Sequence, residues 1–165
     1  MFRRFRRRVL RWLTGALILA ALAAWLVINY SPDDPARWHL DPATIVLRGT
    51  PNEYLAAPRG TTAVPPGLVA VIHPLEPTAL LGCFDRIARA GPRVQVLGGS
   101  VRELMITYVQ RSATIGFPDY ITVKAVPAEG GAGLIVYSRS RYGHGDFGVN
   151  AKRVNDWMKE AGAVC

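Results

Sequence analysis

Residues 12–28 carry no charge, and six arginines crowd the 11 residues in front of them. That pairing limits the fold before anything else does. A run of 17 residues, with Thr14 its one hydroxyl side chain, is at the short end of what spans a bilayer, about 17–25 residues. Arginines beside a span stay on the cytoplasmic side, so the N-terminus is expected inside and the following chain outside. The remainder, about 135 residues, is enough for one domain with its own core.

A cleaved secretory signal has the same charge order, and Ala21-Leu22-Ala23-Ala24 offers small residues for cleavage. The apolar run continues beyond them through Trp25-Leu26-Val27-Ile28, which favours a retained anchor. Trp12, Trp25 and Tyr30 stand near its ends, where interfacial aromatics gather. The expected layout is a basic cytoplasmic tail (1–11), a transmembrane anchor (12–29), a juxtamembrane linker (30–44) and a periplasmic domain (45–165) at the bacterial inner membrane.

The net charge of +8 is misleading as a total. Past residue 11, 14 basic residues face 12 acidic ones. A nucleic-acid binder concentrates positive charge on its folded domain, so nucleic acid is not an expected partner. Two cysteines, Cys83 and Cys165, cannot build a zinc site alone. In an oxidising compartment they can form one disulfide pinning the C-terminus to the domain; the alternative is a buried free Cys83 and a frayed terminal Cys165.

Residues 31–42 read as a polar, proline-bearing linker, 50–55 as irregular and 56–67 as a surface loop. An extended segment is expected at 68–72. The stripe Ala79, Leu80, Cys83, Ile87, Ala90 predicts a helix over 76–90, stopped by Gly91-Pro92. Strands are predicted at 94–97, 104–109, 120–126 and 134–140, the last two joined as a hairpin by the glycines after Glu129. Asn150 is expected to cap a helix over 151–161 with Val154, Trp157, Met158 and Ala161 inward. The fold class is α+β: an antiparallel sheet of about four strands with helices packed on one face, preceded by one N-terminal transmembrane helix.

Chemistry concentrates in 134–150, where an apolar strand runs into serines and arginines, then a glycine-rich turn holding Asp146. Alternation puts Tyr137, Arg139 and Arg141 on one face and Val136, Ser138 and Ser140 on the other. One reading is an anion pocket made by Arg139 or Arg141 with backbone N–H groups at the helix start near Asn150. The other is scaffolding, with Asp146 paired to Arg141 and Asn150 capping the helix. The candidate ligand-binding residues are therefore Ser138, Arg139, Ser140, Arg141, Asp146 and Asn150. His39, His73 and His144 are scattered without metal-ligand spacing; His73 reads as a turn residue, and His144, beside Asp146, is the histidine to test as an acid–base group. No Gly-x-Ser-x-Gly elbow, phosphate loop or dinucleotide fingerprint is present, and no metal or cofactor is expected.

The same stretch resembles the C-terminal signature of the DUF1499 family, bacterial and plastid proteins of unknown function. That signature reads Arg-Ser-Ala-Ser-Arg-x-Gly-x-x-Asp-x-Gly-x-Asn before a basic helix. Ser138, Ser140, Arg141, Gly143, Asp146, Gly148, Asn150 and Arg153 stand at matching positions. Tyr137 replaces the first arginine, and Arg139 fills a usually small position. A Gly-Phe-x-Asp-Asp element is half present as Gly116-Phe117-Pro118-Asp119-Tyr120, without the second carboxylate. Pro51-Asn52 and His73-Pro74-Leu75 match further elements, with Glu53 where a cysteine is common. The resemblance covers about residues 45–160 and implies a family rather than an activity.

The expected role is an envelope protein that binds or scaffolds through an Arg/Asp-centred site, engaging a protein partner or a small anionic ligand. The competing reading is a hydrolase-like enzyme using Asp119, Asp146 or His144. A third is an interaction domain using exposed apolar surface around Trp38 and Tyr54.

Overall fold

The computed structural model describes residues 2–165, with side-chain environments from residue 5 onward. Helix α1, Phe2–Tyr30, is followed by a single-turn helix α2, Pro35–Trp38. Strands β1 (Glu53–Ala57) and β2 (Leu68–Val69) precede helix α3 (Pro77–Ala90). Strands β3 (Val94–Ser100), β4 (Met105–Arg111), β5 (Pro118–Ala128) and β6 (Gly131–Ser140) follow, and helix α4 (Val149–Val164) closes the chain.

The class is α+β, but the sheet has six strands in the order β2-β1-β6-β5-β4-β3 rather than about four. It is mixed, because β2 runs parallel to β1 while every other pairing is antiparallel. The expected hairpin is β5–β6, in continuous register from Asp119–Ser140 to Ala128–Gly131. Strand β1 runs from the segment expected to be irregular (50–55) into the expected surface loop (56–67), and pairs with β6 on one side and β2 on the other. Leu55, Ala56 and Ala57 are buried, so this strand shows none of the alternation that advertises a half-exposed one.

Both long domain helices cover one face. Pro77 opens α3, where its missing N–H has no bond to lose, and Leu80, Leu81, Phe84, Ile87 and Ala88 form its buried stripe. In α4 the stripe is Val154, Trp157, Met158 and Ala161. These side chains meet Ile106, Tyr108, Ile121, Val123, Leu134 and Val136 from the sheet. Each fully buried Leu, Ile or Phe here stabilises the fold by about 1.5–3 kcal/mol. Cys83 of α3 is disulfide-bonded to Cys165 across 82 residues. Closing a loop of that length stabilises the fold by about 4–5 kcal/mol through the unfolded chain's lost entropy.

The other face is covered by the segment expected to be a linker. Residues 33–48 lie across it as a strap. Trp38 is 7% exposed and stacks on Tyr120 with ring centroids 3.9 Å apart. Ile45 packs with Leu55, Ala57, Ile135 and Tyr137. Trp38 is thus no exposed docking residue, and Tyr54 is half-buried against the helix-face core.

Helix α1 is long and apolar enough to cross a membrane by length and composition, and its apolar stretch is buried by nothing in the domain. Its last turn touches the domain: Asn29 donates to the Ile115 carbonyl at 3.0 Å, and the Ile28 carbonyl accepts from Arg111 at 3.5 Å.

Candidate functional site

The six candidate residues fall on opposite faces of β6. Ser138 and Ser140 face α4, and Asn150 reaches down to meet them. Arg139 and Arg141 face the strap. The anion pocket expected from Arg139 or Arg141 with the start of α4 is therefore not assembled as one site.

On the helix side the chain builds a buried polar cluster. Asn150 is 1% exposed and lies inside the first turn of α4 rather than capping it. Its Oδ1 accepts from the Ser138 hydroxyl at 2.5 Å and from Arg153 at 2.7 Å. Its Nδ2 donates to Ser140 Oγ at 2.9 Å, to Asp146 at 2.7 Å and to the Asn52 carbonyl at 3.1 Å. The amide thus ties β6, the loop before β1, and α4 to one point. The capping is done by Asp146, whose carboxylate accepts the N–H of Gly148 at 2.9 Å and of Asn150 at 2.7 Å. Negative charge at a helix N-terminus is favourable, and these donors would otherwise be orphaned. Asp146 therefore serves the helix; the expected pair with Arg141 is replaced by this arrangement.

Sequence reasoning named Asp119 as a candidate acid and Asn52 as a motif match, and missed that both, with Gln110, complete the cluster. Arg153 was visible only as a matching position in the signature. It donates to Asp119 at 2.6 Å, to Ser138 Oγ at 3.0 Å and, through Nε, to Gln110 of β4. Arg153 and Asp119 side chains are 8% and 13% exposed, so the pair is nearly buried. The hint was the spacing of Arg153 from Asn150, three residues on and hence the same side of the helix. Asn52 contributes its carbonyl and donates its side-chain amide to the Gly143 carbonyl at 2.7 Å.

On the strap side Arg139 is 3% exposed. One guanidinium nitrogen donates to the Trp38 carbonyl at 2.6 Å; the other, Nη1, is buried without a hydrogen-bond partner. The guanidinium lies over the Tyr137 ring at 4.7 Å and the Trp38 ring at 5.4 Å. Burial, helped by the Arg48 charge and opposed by Tyr137 and Glu53, pushes Arg139 down to about 10. It remains charged at neutral pH. Arg141 does not join it. It donates to the Pro32 carbonyl at 3.1 Å and the Tyr120 hydroxyl at 3.3 Å, and lies 3.7 Å from Asp33. Asp33 also accepts from Arg111 at 2.6 Å and from the Tyr120 hydroxyl at 2.5 Å. Arg111 of β4, the Tyr120 phenol of β5 and Arg141 just past β6 thus converge on one strap carboxylate.

Burial first, then the hydrogen bond to Asp33, raises the Tyr120 phenol to about 12. Burial and the bond to Glu53 do the same for Tyr137. Asp119 and Asp146, the acids named for hydrolysis, are both engaged in internal bonds, and His144 stands exposed on the loop before Asp146. His73 pairs its backbone with Ala132 at a turn, as its neighbouring proline suggested.

No curated protein and no solved structure matches the chain. The family model described as Protein of unknown function (DUF1499) matches residues 59–160, from the loop after β1 almost to the end of α4, and the chain, more than half of it matched, belongs to that family.

Proposed function

We propose that this is a single-pass protein of the bacterial inner membrane, with its N-terminus cytoplasmic and its domain in the periplasm, and that it acts by binding or scaffolding rather than by catalysis. The observation that carries the reading is the exposure of α1: Leu13, Leu17, Ile18, Leu19 and Leu22 are all uncovered. A helix apolar on every side needs lipid around it. The arginines before it set the orientation. The working part is the Arg/Asp-centred strap face. Arg139 keeps a guanidinium N–H for a small anion or a partner's carboxylate, reached when the strap around Trp38 shifts. Ser138, Ser140, Asp146 and Asn150 support that face from behind by fixing β6 against α4.

The test uses the full chain. Alkaline carbonate should leave it in the membrane pellet, and alkaline phosphatase fused after Cys165 should be active, since that reporter works only outside the cytoplasm. Release by carbonate, or a silent fusion on a stable protein, overturns the anchored, exported reading. Native mass spectrometry of the chain in nanodiscs should show an extra mass that disappears in Arg139→Met. A bare wild-type mass removes the small-anion reading and leaves a protein partner, to be sought by crosslinking in intact membranes.

A further inference from the structure

One end of the domain is built differently from the other, and it is the end that touches α1. The loop 112–117 between β4 and β5 holds no charged residue. It is closed on itself: Ser112 Oγ accepts the N–H of Gly116 at 3.1 Å and of Phe117 at 2.9 Å, so Ile115 is held out at its tip. The loop 141–148 after β6 holds Arg141, turned to Pro32 and Asp33 of the strap, and one acid, Asp146, turned inward to cap α4. At its tip Phe147 is fully exposed with φ +56°, a conformation aromatic residues rarely adopt. Phe117 and Tyr142 join the loops with ring centroids 5.9 Å apart. At the opposite end the turns carry Arg102, Glu103 and Glu129.

Helix α1 fixes the height of these two loop tips. Asn29 donates to the Ile115 carbonyl, and the approach is so close that a Cβ on Gly116 would lie 2.2 Å from Asn29 Oδ1. Residues 12–28 are about 25 Å long as a helix, less than the roughly 30 Å of bilayer hydrocarbon. A short span draws its flanks toward the apolar layer. Asn29, and Ile115 with it, therefore sits at the boundary. Arg93 and Trp25 line one cleft between α1 and the domain; Arg93 is exposed, donates through Nε to the Arg111 carbonyl at 2.9 Å and has no ion pair among the described residues, which leaves its charge free for an anionic headgroup.

Resting on the anchored reading above, we infer that this end of the domain is a membrane-seating surface: Ile115 and Phe147 enter the headgroup boundary of the same bilayer that α1 crosses. The domain then lies on the membrane instead of swinging from a tether.

The experiment places single nitroxide labels in the full chain in phospholipid nanodiscs, at Ile115→Cys, Phe147→Cys, Leu17→Cys and Glu129→Cys. The native cysteines are bonded to each other and do not react. Relaxation by oxygen, which concentrates in lipid, is compared with relaxation by a water-soluble nickel chelate. Labels at 115 and 147 should favour oxygen, as the label at 17 does, while the label at 129 favours nickel. If 17 reports lipid while 115 and 147 both report water, the seating surface is overturned and the anchor stands. If 17 also reports water, the anchored reading fails and takes the seating with it. All four positions are exposed, so the labels leave the core intact.

Discussion

On one face of the sheet, α3 and α4 lay two amphipathic helices over a continuous apolar core. On the other, residues 33–48 cover Tyr120, Tyr137 and Ile135 with one four-residue helix and otherwise irregular chain. A helix bonds its own backbone and is free to present an apolar stripe. An irregular strap must be held by side chains. This one is held by Asp33 on Arg111, His39 on Thr107 at 2.8 Å, Asp41 on Lys124, and its Trp38 carbonyl on Arg139. The difference teaches that charge on the strap face is structural first. Any ligand for Arg139 competes with contacts that keep the sheet covered.

The sharpest way to break the comparison is to empty the largest strap contact. Trp38→Ala should destabilise the domain by about 3–5 kcal/mol, as much as Phe84→Ala on the helix face, because both remove a buried aromatic. Thermal melts followed by near-ultraviolet circular dichroism measure both. A loss below about 1 kcal/mol at Trp38 would reduce the strap to a tether, since surface changes fall in that range.

Next in size is the charge pair on the helix face. Asp119→Ala leaves Arg153 nearly buried and uncompensated, at a cost of about 3 kcal/mol. Adding Arg153→Met should recover much of that loss, because the unpaired charge goes with it. A double variant no better than the single one would mean that the hydrogen bonds of Arg153 to Asn150 and Ser138, rather than the charge pair, hold α4 in place.

How much of this was legible follows from the same contrast. Elements closed by helices advertise themselves: the stripe 80, 83, 87 and the stripe 154, 157, 158, 161 gave α3 and α4, and alternation with a glycine turn gave β5–β6. Strand β1 was hidden because its Leu-Ala-Ala is buried on both faces. The strap was hidden because proline and aspartate mark irregular chain whether or not it packs; only Trp38 amid them hinted at a buried anchor point. At the site, Ser138, Ser140, Asp146 and Asn150 were legible only as members of one set with Arg139 and Arg141, and the cap was expected from Asn150 where Asp146 supplies it. Their split from Arg139 and Arg141 followed from alternation. Asn52 was visible only as part of the Pro51-Asn52 match and Gln110 not at all, because contacts between residues 98 and 43 positions apart leave no local signature.

A smaller effect separates Asp146 from the catalytic role considered for it. Asp146→Ala should lower stability by about 1–2 kcal/mol, the loss of a helix cap, and speed amide exchange at Gly148 and Asn150. Asp146→Asn should cost less, since its side-chain oxygen still accepts one of these bonds. Unchanged melting and unchanged exchange in the alanine variant would return Asp146 to the list of free carboxylates.

The smallest expected effect is a pH dependence that the strap face owes to its two tyrosines. Tyr120 and Tyr137 are both raised from near 10 to about 12, by burial and then by their bonds to Asp33 and Glu53. Below pH 10 both folded and unfolded chains keep these protons, and the contribution is fully present. Above it the unfolded chain releases them first, so stability falls as pH rises from 10 toward 12. At pH 11 the loss is on the order of 1 kcal/mol for each phenol, from about 1.4 kcal/mol per pH unit. Tyr108 on the helix face is raised too, by burial and its bond to Asp85, so the wild-type slope alone does not separate the faces. Tyr120→Phe and Tyr137→Phe do: each should flatten the decline between pH 10 and 11 by its own share, with phenolate absorbance near 295 nm shifting to match. If neither flattens it, Asp33 of the strap and Glu53 of β1 do not hold those phenols, and the face opposite the helices is open more often than its packing implies.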